Sequence, residues 1–324
     1  MRKSIRIAAL ILTLILCAGL FTGCAKGRKV GPYRVEKNDI RNTEIYPYIV
    51  RTPHATWFLA QADIDLLGEE TFYRELGEVL TEQEADFADA IDALRDYLTG
   101  DIPCIDIWMD FAGRTGNGKS DYFGAYCIWD MDLIYVYHDF QHARDGLLHE
   151  YVHYLTHKCC TFKLKTDFWS ECIAEYISQF VCYNRLSHST LTEEDREMYR
   201  QYGLTDANGE PDKRKVYYAW AAQARAGELI GMPYLAVNQT GMTLTEAQVR
   251  NPGIGALTYF EACCFFEWLV ERYGRDFVFS HMAIGPERFE EVFGKDFNTL
   301  FSEWTADNDA WCAENLKLPE GAGD

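Results

Sequence analysis

Two histidines, His149 and His153, stand four residues apart in a largely apolar stretch, and no other feature of the chain constrains its fold as much. On an α-helix, residues four apart differ by about 40° in angle and about 6 Å in rise, so both imidazoles can reach one metal ion. The flanking apolar residues supply faces that a helix can bury: Leu147, Leu148, Tyr151, Val152, Tyr154 and Leu155. The sequence therefore predicts a helix over about 141–157 that carries two metal ligands. The alternative is a helix whose two histidines are only hydrogen-bonded polar groups.

Glu150 completes the pattern H-E-x-x-H with the two histidines. It lies about 100° around the helix from His149, close enough to reach a water on the same metal without becoming a ligand. Histidine and carboxylate ligands suit zinc, and a catalytic zinc site keeps one position for water. Because zinc lowers the pKa of that water to about 7, a neighbouring glutamate can take its proton as general base. The motif thus predicts a zinc-dependent hydrolase.

A third protein ligand is needed, and the residues that follow His153 exclude one source of it. Metzincin peptidases require a glycine and a third histidine at the places where this chain has Thr156 and Cys159. His157 lies one turn after His153. We interpret it as a histidine near the negative end of the helix dipole and not as a ligand.

Residues 169–176 read W-S-E-C-I-A-E-Y, and 17 residues separate His153 from Glu171. This segment resembles the W-x-E-G-x-A-E-Y segment of gluzincins, the thermolysin-like zinc peptidases, with Cys172 in place of the usual glycine. The resemblance implies that Glu171 is the third zinc ligand and that Glu175 hydrogen-bonds a histidine ligand from the second shell. The alternative is that both glutamates lie on an exposed acidic helix face.

The residues from Tyr259 onward are predicted to open a helix that ends at Tyr273-Gly274. In the gluzincin aminopeptidases, which this segment also resembles, a tyrosine at the start of such a helix donates a hydrogen bond to the oxyanion. The resemblance implies that catalytic role for Tyr259. The alternative is a core tyrosine, and the other candidates for the donor are Tyr217, Tyr218 and Tyr234.

Residues 123–126 lie about where those aminopeptidases carry the G-x-M-E-N strand, which pairs with an extended peptide substrate. Cys127 and Ile128 stand at its last two places, so the glutamate that grips a free α-amino group is missing. The pattern favours an endopeptidase over an aminopeptidase and leaves a carboxypeptidase open. Residues 131–137 are an alternative for the edge strand.

The N-terminus has the pattern of an export signal. A basic segment, 1–6, precedes an apolar run, 7–21, which is shorter than the about 20 residues typical of a membrane span. The following F-T-G-C resembles a bacterial lipobox and implies a signal peptide over 1–23 and lipidation of Cys24. We therefore expect an extracytoplasmic body anchored to the cell membrane. Plain secretion and an uncleaved N-terminal anchor are the alternatives.

Charge and cysteine content narrow the class of protein further. The 324 residues carry a formal charge of -19, and an acidic body repels phosphate backbones, so no nucleic-acid partner is expected. Eleven cysteines include Cys17 and Cys24, and the other nine occupy apolar helix and strand positions. We expect these nine to be mostly buried free thiols, with one or two bridges.

The order of predicted elements indicates an α+β, zincin-like fold. A tether over 24–44 precedes an N-terminal α/β lobe over 45–157, with a small mixed sheet and the motif helix. A mostly helical lobe over 158–324 carries the third ligand, and a cleft between the lobes is expected to hold the site. Thr81-Glu82-Gln83-Glu84 is a capping-box pattern and predicts the start of a helix. Further helices are predicted at about 168–185, 192–202, 214–230, 258–273 and 296–314.

Together these features predict a lipid-anchored, extracytoplasmic zinc metallopeptidase that acts on a peptide or protein. The alternative from another class is a non-enzymatic surface lipoprotein that keeps a zincin scaffold and binds a partner or a cell-wall polymer. A zincin that hydrolyses a non-peptide bond is a third possibility. The sequence indicates no oligomeric state.

Overall fold

Seven strands form one mixed sheet in the computed structural model, which describes residues 27–113, 124–182, 192–226 and 252–317. The predicted signal peptide over 1–23 and the predicted lipidation site Cys24 lie outside these residues. The strands are β1 (Lys29–Val30), β2 (Tyr33–Lys37), β3 (Tyr48–Arg51), β4 (Ala55–Leu59), β5 (Ile105–Asp110), β6 (Ala125–Ile128) and β7 (Leu133–Tyr137).

The order of strands in the sheet is β1-β2-β3-β4-β5-β7-β6. β5 pairs in parallel with β4 and β7, and the remaining pairs are antiparallel. β6 is therefore an edge strand, while β7, which spans most of the alternative segment 131–137, has neighbours on both sides. Of the two candidate edge segments, the one that includes Ala125 and Tyr126 occupies the edge.

Alternate residues of the strands enter two different apolar clusters, as the pleat of a sheet requires. In β5, Ile107 belongs to the main core, whereas Trp108 belongs to a smaller cluster with Tyr46 and Phe58. The main core also contains residues of the C-terminal helices, such as Trp304. One continuous apolar cluster thus joins the strands to the helical part of the chain.

Helices follow the sheet, apart from two that lie between β4 and β5. They are α1 (Gln61–Leu67), α2 (Glu69–Leu94), α3 (Phe140–Tyr154), α4 (Asp167–Glu175), α5 (Glu193–Gln201), α6 (Lys213–Ala226), α7 (Pro252–Tyr273), α8 (Arg275–Ser280), α9 (Phe289–Phe293) and α10 (Phe297–Asn315). α3 and α4 each continue into a π-helical segment, at Leu155–Cys159 and Tyr176–Val181. The predicted succession of a sheet region and a helical region is confirmed, and so is the α+β class.

The capping box predicted at Thr81 is wrong, because α2 already begins at Glu69. Apolar residues before Thr81, such as Phe72 and Leu76, are buried at helical spacing and carry the helix across the predicted start. The Thr81 hydroxyl donates to the carbonyl of Gly77, one turn earlier (2.8 Å), as threonine does inside a helix.

The tether predicted over 24–44 is wrong for residues 29–37, which form β1 and β2. Val30 and Val35 are buried in the main core, and Val35 lies opposite Val50 in the sheet. This polar segment is held at the outer side of the sheet by its two buried apolar side chains and by its main-chain pairing with β3.

The nine cysteines outside the N-terminal segment all fall within the described residues, and all nine are free thiols. Seven are buried, Cys182 is half-buried and Cys104 is exposed. The prediction of mostly buried free thiols is confirmed, without the one or two bridges also expected. Both members of the adjacent pair Cys263-Cys264 are buried because α7 is covered on several sides, by α4, α6 and α10.

Within the described residues, no helix combines the length and the apolar character that crossing a membrane would require.

Candidate metal centre

The two motif histidines lie on one face of α3, which packs against β6 and β7 on one side and against α2 and α4 on others. Asp139 caps the helix by accepting a hydrogen bond from the main-chain amide of His142 (2.9 Å). The rings of His149 and His153 meet edge to face with centroids 4.6 Å apart, and both residues are buried. The predicted helix thus brings the two imidazoles together.

Glu171 approaches the same two rings from α4. Its Oε2 lies 3.1 Å from Nε2 of His149 and 3.5 Å from Nε2 of His153. One possible ligand atom from each of the three residues lies within 4.8 Å of the others. The structure therefore brings together the three side chains predicted as ligands, and the group could hold a metal ion.

Glu175 lies one turn after Glu171 and reaches the other nitrogen of His149. Its Oε1 is 3.1 Å from Nδ1 of His149, and the residue is only 1% exposed. Glu175 is therefore where a carboxylate can orient the His149 ring and leave Nε2 for a metal. The alternative of an exposed acidic helix face does not hold for Glu175.

The pKa values of His149 and Glu171 are shifted by their charged neighbours. Burial alone would lower the pKa of His149, but hydrogen bonding to Glu171 and Glu175 raises it to about 10. Burial alone would raise the pKa of Glu171, but His153 and His149 hold it well below its usual range. Without a metal, the site therefore holds an imidazolium between two carboxylates. A metal ion would take the place of that proton.

Ser170 is a site residue that the sequence analysis missed. Its Oγ lies 3.0 Å from Nδ1 of His153 and 2.9 Å from Nε2 of His157. The group of possible ligands found among the described residues does not include His157, whose ring stacks on that of Trp129 (centroids 4.2 Å apart, planes at 11°). The sequence signal that could have identified Ser170 is its position next to Glu171, on the helix that faces the two motif histidines.

Glu150 contacts the edge strand of the sheet. The amide N–H of Cys127 in β6 donates to Oε2 of Glu150 (2.8 Å). The amide of Tyr137 in β7 donates to the carbonyl of Gly124 (2.8 Å), so by alternation the main-chain groups of Cys127 point away from β7. The carboxylate predicted as general base therefore lies at the β6 edge of the sheet that the described residues form.

Tyr259 lies beside the histidines, on α7. The helix start predicted at Tyr259 is wrong, because α7 begins seven residues earlier at Pro252, where a proline fits the first helical position that needs no N–H partner. Its ring is 5.7 Å from that of His149, centroid to centroid, and nearly perpendicular to it. Of the other tyrosines considered, Tyr217 is buried among Phe180, Trp220 and Phe260, while Tyr218 donates to Glu267 (2.8 Å). Tyr234 lies outside the described residues. Tyr259 is thus the tyrosine that the structure brings to the three possible ligands.

Comparisons of the chain with protein-family models, with curated proteins and with solved structures find no match.

Proposed function

We propose that this protein is an extracytoplasmic zinc peptidase that hydrolyses peptide bonds within a chain. The observation that carries the proposal is the convergence of His149, His153 and Glu171. Glu150, the residue with the chemistry of a general base, follows His149 in the sequence and holds its carboxylate at the edge of β6. Two consecutive helices, α3 and α4, supply these groups, and their chemical types are those that this reaction needs.

The donor set suits zinc, since two imidazole nitrogens and one carboxylate oxygen are ligands that a catalytic zinc ion accepts. Glu175 adds a carboxylate on the far nitrogen of His149, which favours the neutral ring with its proton on Nδ1. When bound, zinc would polarise the substrate carbonyl and make a water molecule acidic enough to attack at neutral pH.

Glu150 would accept the proton of the attacking water and then deliver it to the leaving nitrogen. In the structure its carboxylate accepts a hydrogen bond from the amide of Cys127, which keeps it at the edge of β6. Tyr259 would donate from its hydroxyl to the oxyanion, a role whose removal typically costs about 3 kcal/mol of transition-state stabilisation.

The side of β6 that faces away from β7 offers main-chain groups with which an extended peptide could pair. The amide of Cys127 points outward there, and a substrate carbonyl would compete with Glu150 for it. The absence of a glutamate at positions 127 and 128 removes a grip for a free amino terminus. We therefore propose an endopeptidase acting on peptides or proteins.

The location proposed for the protein follows from its N-terminal sequence. The apolar run over 7–21 and the F-T-G-C segment support export and lipidation of Cys24, with the body held outside the cytoplasm at the membrane. Radioactive palmitate fed to expressing bacterial cells should label the protein, and Cys24→Ala should abolish the label. Equal labelling of both forms would contradict the anchor.

Metal analysis of the purified body tests the ligand set. We expect close to one zinc per chain in the wild type and a sharp loss in Glu171→Ala. Glu75→Ala is the matched control, because the Glu75 side chain is 24% exposed against 21% for Glu171 and pairs with Arg144 outside the site. Unchanged zinc in Glu171→Ala would contradict the ligand assignment.

Cleavage of a mixed peptide library tests the activity. We expect the zinc-loaded wild type to cleave within peptides and Glu150→Gln to lose at least about a hundredfold in rate, the usual contribution of a general base. If both forms bind zinc and neither cleaves any peptide, the protein is a binding scaffold or acts on another kind of bond.

A further inference from the structure

We propose that His157, acting through Ser170, is a positioning residue for His153, and that Trp129 holds the His157 ring in place. The inference rests on the proposed metal site, because it concerns how one of the ligands is oriented. It assigns a role to a third histidine that the proposed chemistry does not use.

The three side chains form a continuous path from the metal centre to the surface. Nδ1 of His153 lies 3.0 Å from Oγ of Ser170, and that oxygen lies 2.9 Å from Nε2 of His157. The His157 ring stacks on Trp129, which is 42% exposed. Ser170 itself is buried, so its hydroxyl has these two ring nitrogens as its partners in the structure.

A bound metal would fix the direction of every hydrogen bond along this path. His153 points Nε2 toward Glu171, so a metal bound there leaves the ring proton on Nδ1, which donates to Ser170. The Ser170 hydroxyl is then free to donate to Nε2 of His157. His157 can accept only as a neutral ring with its proton on Nδ1.

The contacts of His157 hold its ring in the orientation that this arrangement requires. Its Nε2 is the nitrogen that faces the hydroxyl of Ser170. The stack on Trp129 covers one face of the ring and limits its rotation. The geometry is thus consistent with one arrangement of the protons.

The two ligand histidines are supported in different ways. Glu175 contacts His149 directly with a carboxylate, whereas His153 is supported by a neutral hydroxyl and a neutral imidazole. A second buried carboxylate on His153 would add negative charge beside Glu171. The neutral path orients His153 without adding that charge.

Zinc affinity, measured by competition with a chelating dye, tests the proposal. We expect His157→Leu, which removes the acceptor, to weaken zinc binding about tenfold to a hundredfold, the range found for second-shell changes. His157→Gln keeps an acceptor oxygen and should stay within about threefold of the wild type. His142→Gln is the matched control, because His142 is on the same helix and contacts Asp139 outside the site.

A double-mutant cycle separates this role from a general effect on folding. Ser170→Ala should weaken zinc binding, and adding His157→Leu to it should weaken it little further, because the path is already interrupted. Additive losses would contradict a path through Ser170. If His157→Leu binds zinc as tightly as the wild type, the role of His157 is wrong while the metal site stands. If the wild type binds no zinc, the proposed function fails as well.

A measurement on the wild-type protein tests the proposal even if a variant does not fold. In the cobalt-loaded wild type, proton NMR should show a paramagnetically shifted ring N–H from His153. We expect that proton to exchange slowly with solvent, because Ser170 accepts it and the site is buried. Rapid exchange of this proton, at the rate of a solvent-exposed ring, would overturn the proposal.

Discussion

The two sides of α4 differ in how they hold the protein together. Toward α3, Glu171 and Glu175 each meet a specific ring nitrogen of a histidine. Toward α7, Phe168 and Trp169 pack against several aromatic rings at once, among them Phe265. The contacts on the polar side depend on individual hydrogen-bond partners, whereas those on the aromatic side depend on close packing of the rings.

This difference teaches that stability and metal binding should respond to different substitutions. A lost aromatic ring leaves a cavity that many neighbours share, which lowers the free energy of unfolding. A lost carboxylate on the polar side leaves a buried histidine without its orienting partner, which lowers the affinity for metal.

The largest effect is expected from Phe265→Ala on the aromatic side. Phe265 is fully buried and contacts Phe168, Phe297 and Trp304, so the substitution should lower the free energy of unfolding by about 3–5 kcal/mol. Urea unfolding measures this, and the exposed Met198→Ala serves as control. A loss of zinc affinity of more than tenfold in the folded variant would contradict the separation of the two sides.

A smaller effect is expected from Glu175→Gln on the polar side. The amide keeps the size of the side chain but removes the charge that faces Nδ1 of His149. We expect zinc affinity to fall about tenfold to a hundredfold, equal to about 1.4–2.7 kcal/mol. Competition with a chelating dye gives the number, and Glu303→Gln on α10 is the control. Equal affinities in the wild type and Glu175→Gln would mean that the contact does not orient the ligand.

The polar side should also make the metal-free protein sensitive to pH. Because the folded pKa of His149 is raised to about 10 from about 6.5, its contribution to stability is complete below about pH 6.5 and is lost as the pH rises toward 10. Glu171 has a lowered pKa, so its contribution is present above about pH 4.5 and is lost as the pH falls. The slope on the alkaline side should be at most about 1.4 kcal/mol per pH unit.

Unfolding of the chelator-treated protein across pH 5 to 10 measures this dependence. His149→Asn should flatten the alkaline slope, and His142→Gln should leave it unchanged. An alkaline slope that persists in His149→Asn would assign the effect to other groups.

The smallest effect is expected from reducing agents on the aromatic side. Cys263 and Cys264 are buried free thiols on α7, so dithiothreitol should leave the melting temperature of the body unchanged. In the native protein, Ellman's reagent should react first with Cys104, which is exposed. A lower melting temperature under reduction would reveal a bridge and contradict the free thiols.

The motif helix and the helix of Glu171 were predictable because local spacing determines both. His149 and His153 must share a face on any α-helix, and the pattern around Glu171 places Glu175 one turn later. The helices predicted over 192–202 and 296–314 agree with α5 and α10 to within one residue, whereas α7 begins at Pro252, six residues before the start predicted at about 258.

The parts that could not be predicted depend on partners remote in sequence. β2 forms because Val35 pairs with Val50 on the next strand. The composition of a polar segment gives no indication of such a pairing. Ser170 became a site residue only when α4 docked against α3 and met two histidines. The early start of α2 likewise depends on α3, where Phe140 packs against Phe72, so the capping pattern at Thr81 was overridden.

The π-helical segments that follow α3 and α4 are places where the chain could lose a residue and remain helical. A π turn closes through a bond to the fifth residue along and so holds one more residue than an α turn. Deleting a single residue from 155–159 or 176–181 would restore a regular α-helix without severing it. Single-residue gaps should therefore accumulate at 176–181 among diverging descendants of this gene, because this segment follows His149, His153 and Glu171 and a gap there leaves their mutual spacing unchanged.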